Sequence, residues 1–146
     1  MTGWTSVSRR AMPWEGNVMR TNIALGSEEL RIIGHAINWQ LNVPFERSTP
    51  LRLSERETGI LSKLFADLCD LNRLCLAGME SVSLEVGEPY LCAEGRMRMP
   101  PDDFRMMTEA IASFLSELES SPSEIEIVTG APSSKTAELL SRLRAA

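Results

Sequence analysis

Two stretches of this chain, one opening at Ser27 and the other at Pro101, repeat the same order of acidic, apolar and basic residues, and that repetition narrows the fold more than any other feature. Glu28-Glu29-Leu30-Arg31-Ile32-Ile33 matches Asp102-Asp103-Phe104-Arg105-Met106-Met107, and Ala36-Ile37 matches Ala110-Ile111 in the same register. With a short slip in the following loop, Ser54 falls on Ser133, and Ile60-Leu61-Ser62-Lys63-Leu64 falls on Leu139-Leu140-Ser141-Arg142-Leu143. A unit that recurs in this way reads as a duplicated supersecondary element. The expected fold is α+β, built from two degenerate strand-helix-strand-helix units with approximate internal two-fold symmetry. Their strands share a mostly antiparallel or mixed sheet covered by about four helices.

The hydrophobic period sets the elements. After Ser27, placed as an N-cap, Leu30, Ile33, Ile37 and Leu41 lie on one helical face to about Asn42. Between Pro44 and Pro50, Phe45 to Thr49 reads as a short edge strand. Ser54 with Glu57 forms a capping box, and Ile60, Leu61, Leu64, Leu68, Leu71 and Cys75 keep the helical period to about Ala77, before Gly78. From Ser81 the period becomes two: Val82, Leu84 and Val86 alternate with polar residues, Gly87-Glu88-Pro89 supplies a turn, and Leu91 to Met99 alternates again, so a hairpin is expected. Pro100-Pro101 opens a helix with the stripe Phe104, Met107, Ile111, Leu115 and Leu118. Glu124 to Thr129 alternates as a strand, and Ser133 or Ser134 caps a last helix bearing Leu139, Leu140 and Leu143. The core is expected to hold Ile33, Ile37, Ile60, Leu64, Leu84, Met107, Ile111 and Leu140.

Residues 1–18 show no period and read as an irregular or disordered arm, which makes Met19 a candidate native start. Residues 19–146 form one domain, with pseudo-repeats at about 20–77 and 90–146 and an extra strand at about 81–86. At 146 residues, 43% hydrophobic and 24% charged, the chain is long enough and apolar enough for one core. The net charge of −5 weighs against sequence-independent binding to nucleic acid, which depends on clustered cations. Cys69, Cys75 and Cys92 show no paired spacing, which argues against a disulfide framework. Arg9-Arg10 is followed by Met12-Pro13-Trp14-Glu15-Gly16 where a twin-arginine signal needs an apolar stretch. A cytoplasmic location without membrane association is expected.

The motifs that suggest chemistry are incomplete. His35, the only histidine, has no metal-ligand spacing around it. Cys69 and Cys75 read as buried thiols, and Asp67 and Asp70 as solvated helix acids. Thr129-Gly130-Ala131-Pro132-Ser133-Ser134-Lys135-Thr136 lacks the glycine before the lysine of a phosphate loop, and Pro132 removes an N–H the cradle needs. No catalytic residue, cofactor or metal site is expected. Pro50-Leu51-Arg52-Leu53-Ser54-Glu55-Arg56-Glu57-Thr58-Gly59-Ile60-Leu61 is similar to the opening helix of several bacterial helix-turn-helix regulators. That resemblance implies a short turn and a basic recognition helix next, whereas Phe65-Ala66-Asp67-Leu68-Cys69-Asp70-Leu71 continues acidic and apolar.

One feature exceeds what a single core face requires. Ile32, Ala36 and Trp39 form a second apolar stripe opposite Leu30, Ile33, Ile37 and Leu41, and Met106 and Ala110 repeat it. Either these helices are sandwiched inside the chain or the stripe meets a partner. The reading adopted is a non-catalytic protein-interaction module, homodimeric or of an immunity or antitoxin kind, with Ile32, Ala36, Trp39, Met106 and Ala110 as the partner interface. A DNA-binding regulator using the helix from Ser54, and an enzyme with an unfamiliar site, are the alternatives.

Overall fold

The structure is a computed structural model that describes residues 17–18, 23–42, 53–118 and 122–145. The strand expected at Phe45–Thr49 and residues 1–16 of the expected arm lie outside the described residues. The elements run β1 (Asn17–Val18), β2 (Ile23–Leu25), α1 (Ser27–Asn42), α2 (Glu55–Leu76), β3 (Val82–Glu88), β4 (Leu91–Ala93), β5 (Arg96–Met99), α3 (Pro101–Glu117), α4 (Pro122–Thr129) and α5 (Ser133–Ala145). The fold is α+β with a mixed sheet and, among the described residues, five helices.

β3 is the centre of the sheet. β2 pairs antiparallel with it at Ile23↔Leu84, and β1 pairs antiparallel near its end at Val18↔Gly87. On the other side β5 lies parallel at Leu84↔Met97, and β4 closes that edge antiparallel to β5. The hairpin expected at Gly87-Glu88-Pro89 is therefore elsewhere: β3 and β4 do not pair, and the tight turn is Glu94-Gly95. Both residues have positive φ, +52° and +77°, as a two-residue hairpin turn needs. A Cβ on Gly95 would lie 2.7 Å from the sulfur of Met79, whose flexible side chain would have to move aside, so the positive φ is the stronger reason for glycine here. The Glu88–Pro89 peptide, between the central β3 and the edge strand β4, is cis.

The segment Glu124–Thr129, expected as a strand, is α4. Pro122 stands at its first position, where a missing N–H costs nothing, and Gly130 at φ +76° ends it. Thr129 Oγ1 donates back to the Ile125 carbonyl at 2.7 Å, a bond that helical spacing creates. Alternating Ile and Glu over so few residues fits either period, and burying Ile125 against α5 and α1 decides for the helix.

Local signals set the other helix ends. Ser54 Oγ accepts from Glu57 N at 3.1 Å while Glu57 Oε1 accepts from Ser54 N at 3.0 Å, the reciprocal capping box that starts α2. At α1 the cap is Gly26 rather than Ser27: the Gly26 carbonyl accepts from Leu30 N, and Glu29 Oε1 accepts from Gly26 N at 2.9 Å. The Ser27 hydroxyl instead donates to Asn72 Oδ1 at 2.7 Å, tying α1 to α2.

The core sits between one sheet face and the helices. Val82, Leu84, Val86, Met97 and Met99 supply the strands' share, and α1 and α3 supply Ile33, Ile37, Phe104, Met107, Ile111 and Phe114. Each such burial stabilises by about 1.5–3 kcal/mol. Of the expected core residues, seven are buried, and Ile60 is half-buried against the cluster. On the other sheet face Glu85 is buried between two arginines, accepting from Arg96 Nη2 at 2.9 Å and from Arg98 Nε at 3.4 Å.

Candidate functional site

The apolar stripe expected to meet a partner lies inside the chain. Ile32, Ala36, Met106 and Ala110 are 0–2% exposed, because α1 and α3 pack on each other and are covered by neighbouring elements of the same chain. Trp39 is half-buried, its ring edge-on to Phe114 with centroids 5.6 Å apart. Sandwiching, the other account of a helix apolar on two sides, describes these helices.

Titratable side chains gather where α2 meets β4. The Tyr90 hydroxyl donates to Asp67 Oδ2, and Lys63 Nζ sits 4.2 Å from the Tyr90 ring centroid. Burial, the bond to Asp67 and neighbouring carboxylates drive the Tyr90 phenol far above its ordinary value. The Cys92 thiol is pushed up to about 11, first by burial and then by Asp67 and Asp70. Both groups keep their protons at neutral pH, so Cys92 is a poor nucleophile and Tyr90 a donor rather than a base. The arrangement pins β4 to α2. Among the described residues no group of three or more His, Cys, Asp or Glu could hold a metal ion.

The accessible site lies on the opposite flank of α2, in a groove of about 180 Å³ between α1 and α2. Leu30, Gly34, Phe65 and Leu68 give it an apolar floor, and Arg31, His35, Asn38, Cys69 and Asn72 form its rim. Arg31, His35 and Asn38 follow one another at helical spacing, which lines them up along the α1 side. Gly34, inside a helix where glycine costs up to about 1 kcal/mol relative to alanine, leaves space before Phe65. Arg31 is oriented by its own bond, Nε donating to the Thr129 carbonyl at the end of α4, 3.0 Å away. No ion pair joins it to a carboxylate among the described residues. Burial, and then the Arg31 charge, hold His35 below its ordinary value, leaving a neutral imidazole at pH 7. A wider depression near Gly26 and Lys135 is spanned by the Arg142–Glu29 pair, and Arg142 Nη2 also donates to the Ala24 carbonyl at 2.7 Å, locking α5 onto β2.

Comparison of the chain with protein-family models, with curated proteins and with solved structures found no match. The functional assignment therefore stands on side-chain geometry. Of the groove's rim residues, the sequence singles out His35, as a histidine without ligand spacing, and Cys69, as a buried thiol, and neither as part of a groove. Two signals were present: a glycine inside a strongly periodic helix, and a polar run at Arg31, His35 and Asn38. Neither locates a groove until α2 is known to lie beside α1.

Proposed function

We propose that the protein is a non-catalytic protein-interaction module whose partner docks in the groove between α1 and α2. The observation that carries this is the groove's make-up, an apolar floor beside an arginine that is fixed by a carbonyl and matched by no described carboxylate. Protein interfaces commonly centre on such a combination, with an apolar anchor in a pocket and arginine beside it. The stripe Ile32, Ala36, Met106 and Ala110 serves the reading only indirectly, by making α1 and α3 a rigid support for the rim.

Other features weigh against the alternatives. α2 leads into β3, so the helix from Ser54 is not followed by a recognition helix. His35 lines a groove whose described residues include no carboxylate, leaving it without an acid partner there. With Glu124–Thr129 helical, the later half lacks the second strand of the expected strand-helix-strand-helix unit, and what supports duplication is the shorter strand-helix part: β2 and β5 flank β3 on opposite sides, run in opposite directions, and each precede a matching helix. One near two-fold rotation should superpose β2–α1 on β5–α3.

A photoreactive group at exposed Asn38 tests the docking site, with the same group at exposed Glu109 on α3 as the reference. In extract of the native organism the Asn38 label should give one discrete protein adduct, lost on Arg31→Glu, and the Glu109 label should not. Equal labelling from both positions, or none from Asn38, would sink the proposal.

A further inference from the structure

The chain carries on its own surface what this groove is built to receive. Ile127 is 80% exposed, the most exposed large apolar residue among those described. It stands on α4 with Glu124 one turn before it and Glu126 beside it, both exposed. An isoleucine amid two carboxylates complements an apolar floor beside an arginine that no described carboxylate pairs with. The C-terminal end of α4 also abuts the groove's rim, since Arg31 donates to the Thr129 carbonyl, and Ile127 stands two residues earlier on the outward face of that helix.

Resting on the docking site proposed above, we infer that the groove's occupant is a second copy of this chain, with Ile127 of each protomer seated in the other's α1–α2 groove and Glu124 or Glu126 facing Arg31. In this arrangement each protomer gives one knob and one hole, so residue i meets j and j meets i, as a two-fold interface requires. The pairing closes, so it gives dimers and not filaments. With one apolar anchor per groove the contact belongs among the small interfaces, and dimerisation is expected at roughly tens to hundreds of micromolar. The Glu–Arg contacts offset repulsion between two chains of net charge −5 and make assembly sensitive to salt.

Sedimentation of the full chain from about 10 µM to about 1 mM tests this, a range that spans the expected dissociation constant. The wild type should pass from monomer to dimer. Ile127→Ser and Arg31→Glu, both at exposed positions, should each weaken dimerisation by about tenfold or more. Arg31→Glu combined with Glu124→Arg and Glu126→Arg should recover most of the loss, which a merely structural effect would not do. Gly34→Ala places a methyl 3.9 Å from Phe65 Cε1, an ordinary contact, so it should weaken the dimer while thermal stability holds or rises. A wild type monomeric throughout, or a dimer indifferent to Ile127→Ser and Gly34→Ala, overturns the inference. With the labelled chain at about 1 mM, above the expected dissociation constant, the photolabel separates the two failures: an Asn38 adduct to a different protein ends self-pairing and keeps the docking site, and no adduct ends both.

Discussion

In α3, Arg105 stands one turn from Asp102 and one turn from Glu109, and both hold it: Nη2 lies 2.7 Å from Asp102 Oδ1 and Nη1 lies 2.9 Å from Glu109 Oε1. Arg56 of α2 approaches the same aspartate at 3.2 Å, so the exposed face of α3 is a matched set of charges. In α1 the corresponding arginine is Arg31, and the position equivalent to Glu109 is occupied by His35. With no carboxylate one turn on, Arg31 turns to the Thr129 carbonyl, and its charge is felt by the imidazole. Exposed ion pairs are worth about 1 kcal/mol or less, so the difference between the helices is not mainly one of stability. It lies in what is left over: α3 satisfies its own surface, and α1 leaves a cation beside an apolar groove.

The comparison presupposes that the two helices are equivalent as core elements, and the largest expected effect tests that. Ile37 and Ile111 occupy matching positions and both are fully buried. Ile37→Ala and Ile111→Ala should each cost about 2–5 kcal/mol, read from urea unfolding with an unchanged slope. A full loss at Ile111 beside a loss under about 1 kcal/mol at Ile37 would mean that α1 is not built like α3, and the comparison would fall.

What the sequence made legible follows distance along the chain. Ser54 and Glu57 announced α2 because a capping box is closed within one turn, and the paired prolines opened α3 for a similar local reason. Local ambiguity misled at Glu124–Thr129, where Ile125 and Ile127 alternate with glutamates and only the packing of Ile125 shows a helix. The strand order was hidden because the parallel pairing of β3 with β5 carries no mark in either strand. Gly95 read as a small residue in one alternating strand, and only the antiparallel pairing of β4 with β5 around it shows a turn. The groove was hidden for the same reason as the strand order. Its two walls come from α1 and α2, and the second apolar stripe drew attention to the side of α1 that α3 covers.

A smaller effect distinguishes that covered side from the groove. Trp39 packs edge-on against Phe114 across the α1–α3 contact, and it is half-buried rather than fully enclosed. Trp39→Ala should therefore cost about 2–3 kcal/mol, somewhat under the usual loss for a fully buried tryptophan. Its dimerisation constant should stay within about threefold of wild type wherever the variant remains folded. A dimer lost on Trp39→Ala without a drop in melting temperature would return the interface to the stripe and leave the groove unused.

The smallest effect is the most direct reading of the leftover charge. His35 is the only histidine, so its ring protons report one site in an NMR titration without assignment. Its midpoint should lie below 6.5, and Arg31→Gln should raise it only part of the way back, because burial is the larger cause and remains. Arg105→Gln, the same change on the matched helix, should leave it where it was. A histidine whose folded value is lowered binds fewer protons than the unfolded chain, so its contribution is present in full above about 6.5 and is lost as pH falls through the window below that value. A midpoint at or above 6.5 in dilute wild type, or an equal response to both arginine substitutions, would show that Arg31 is no more available than Arg105.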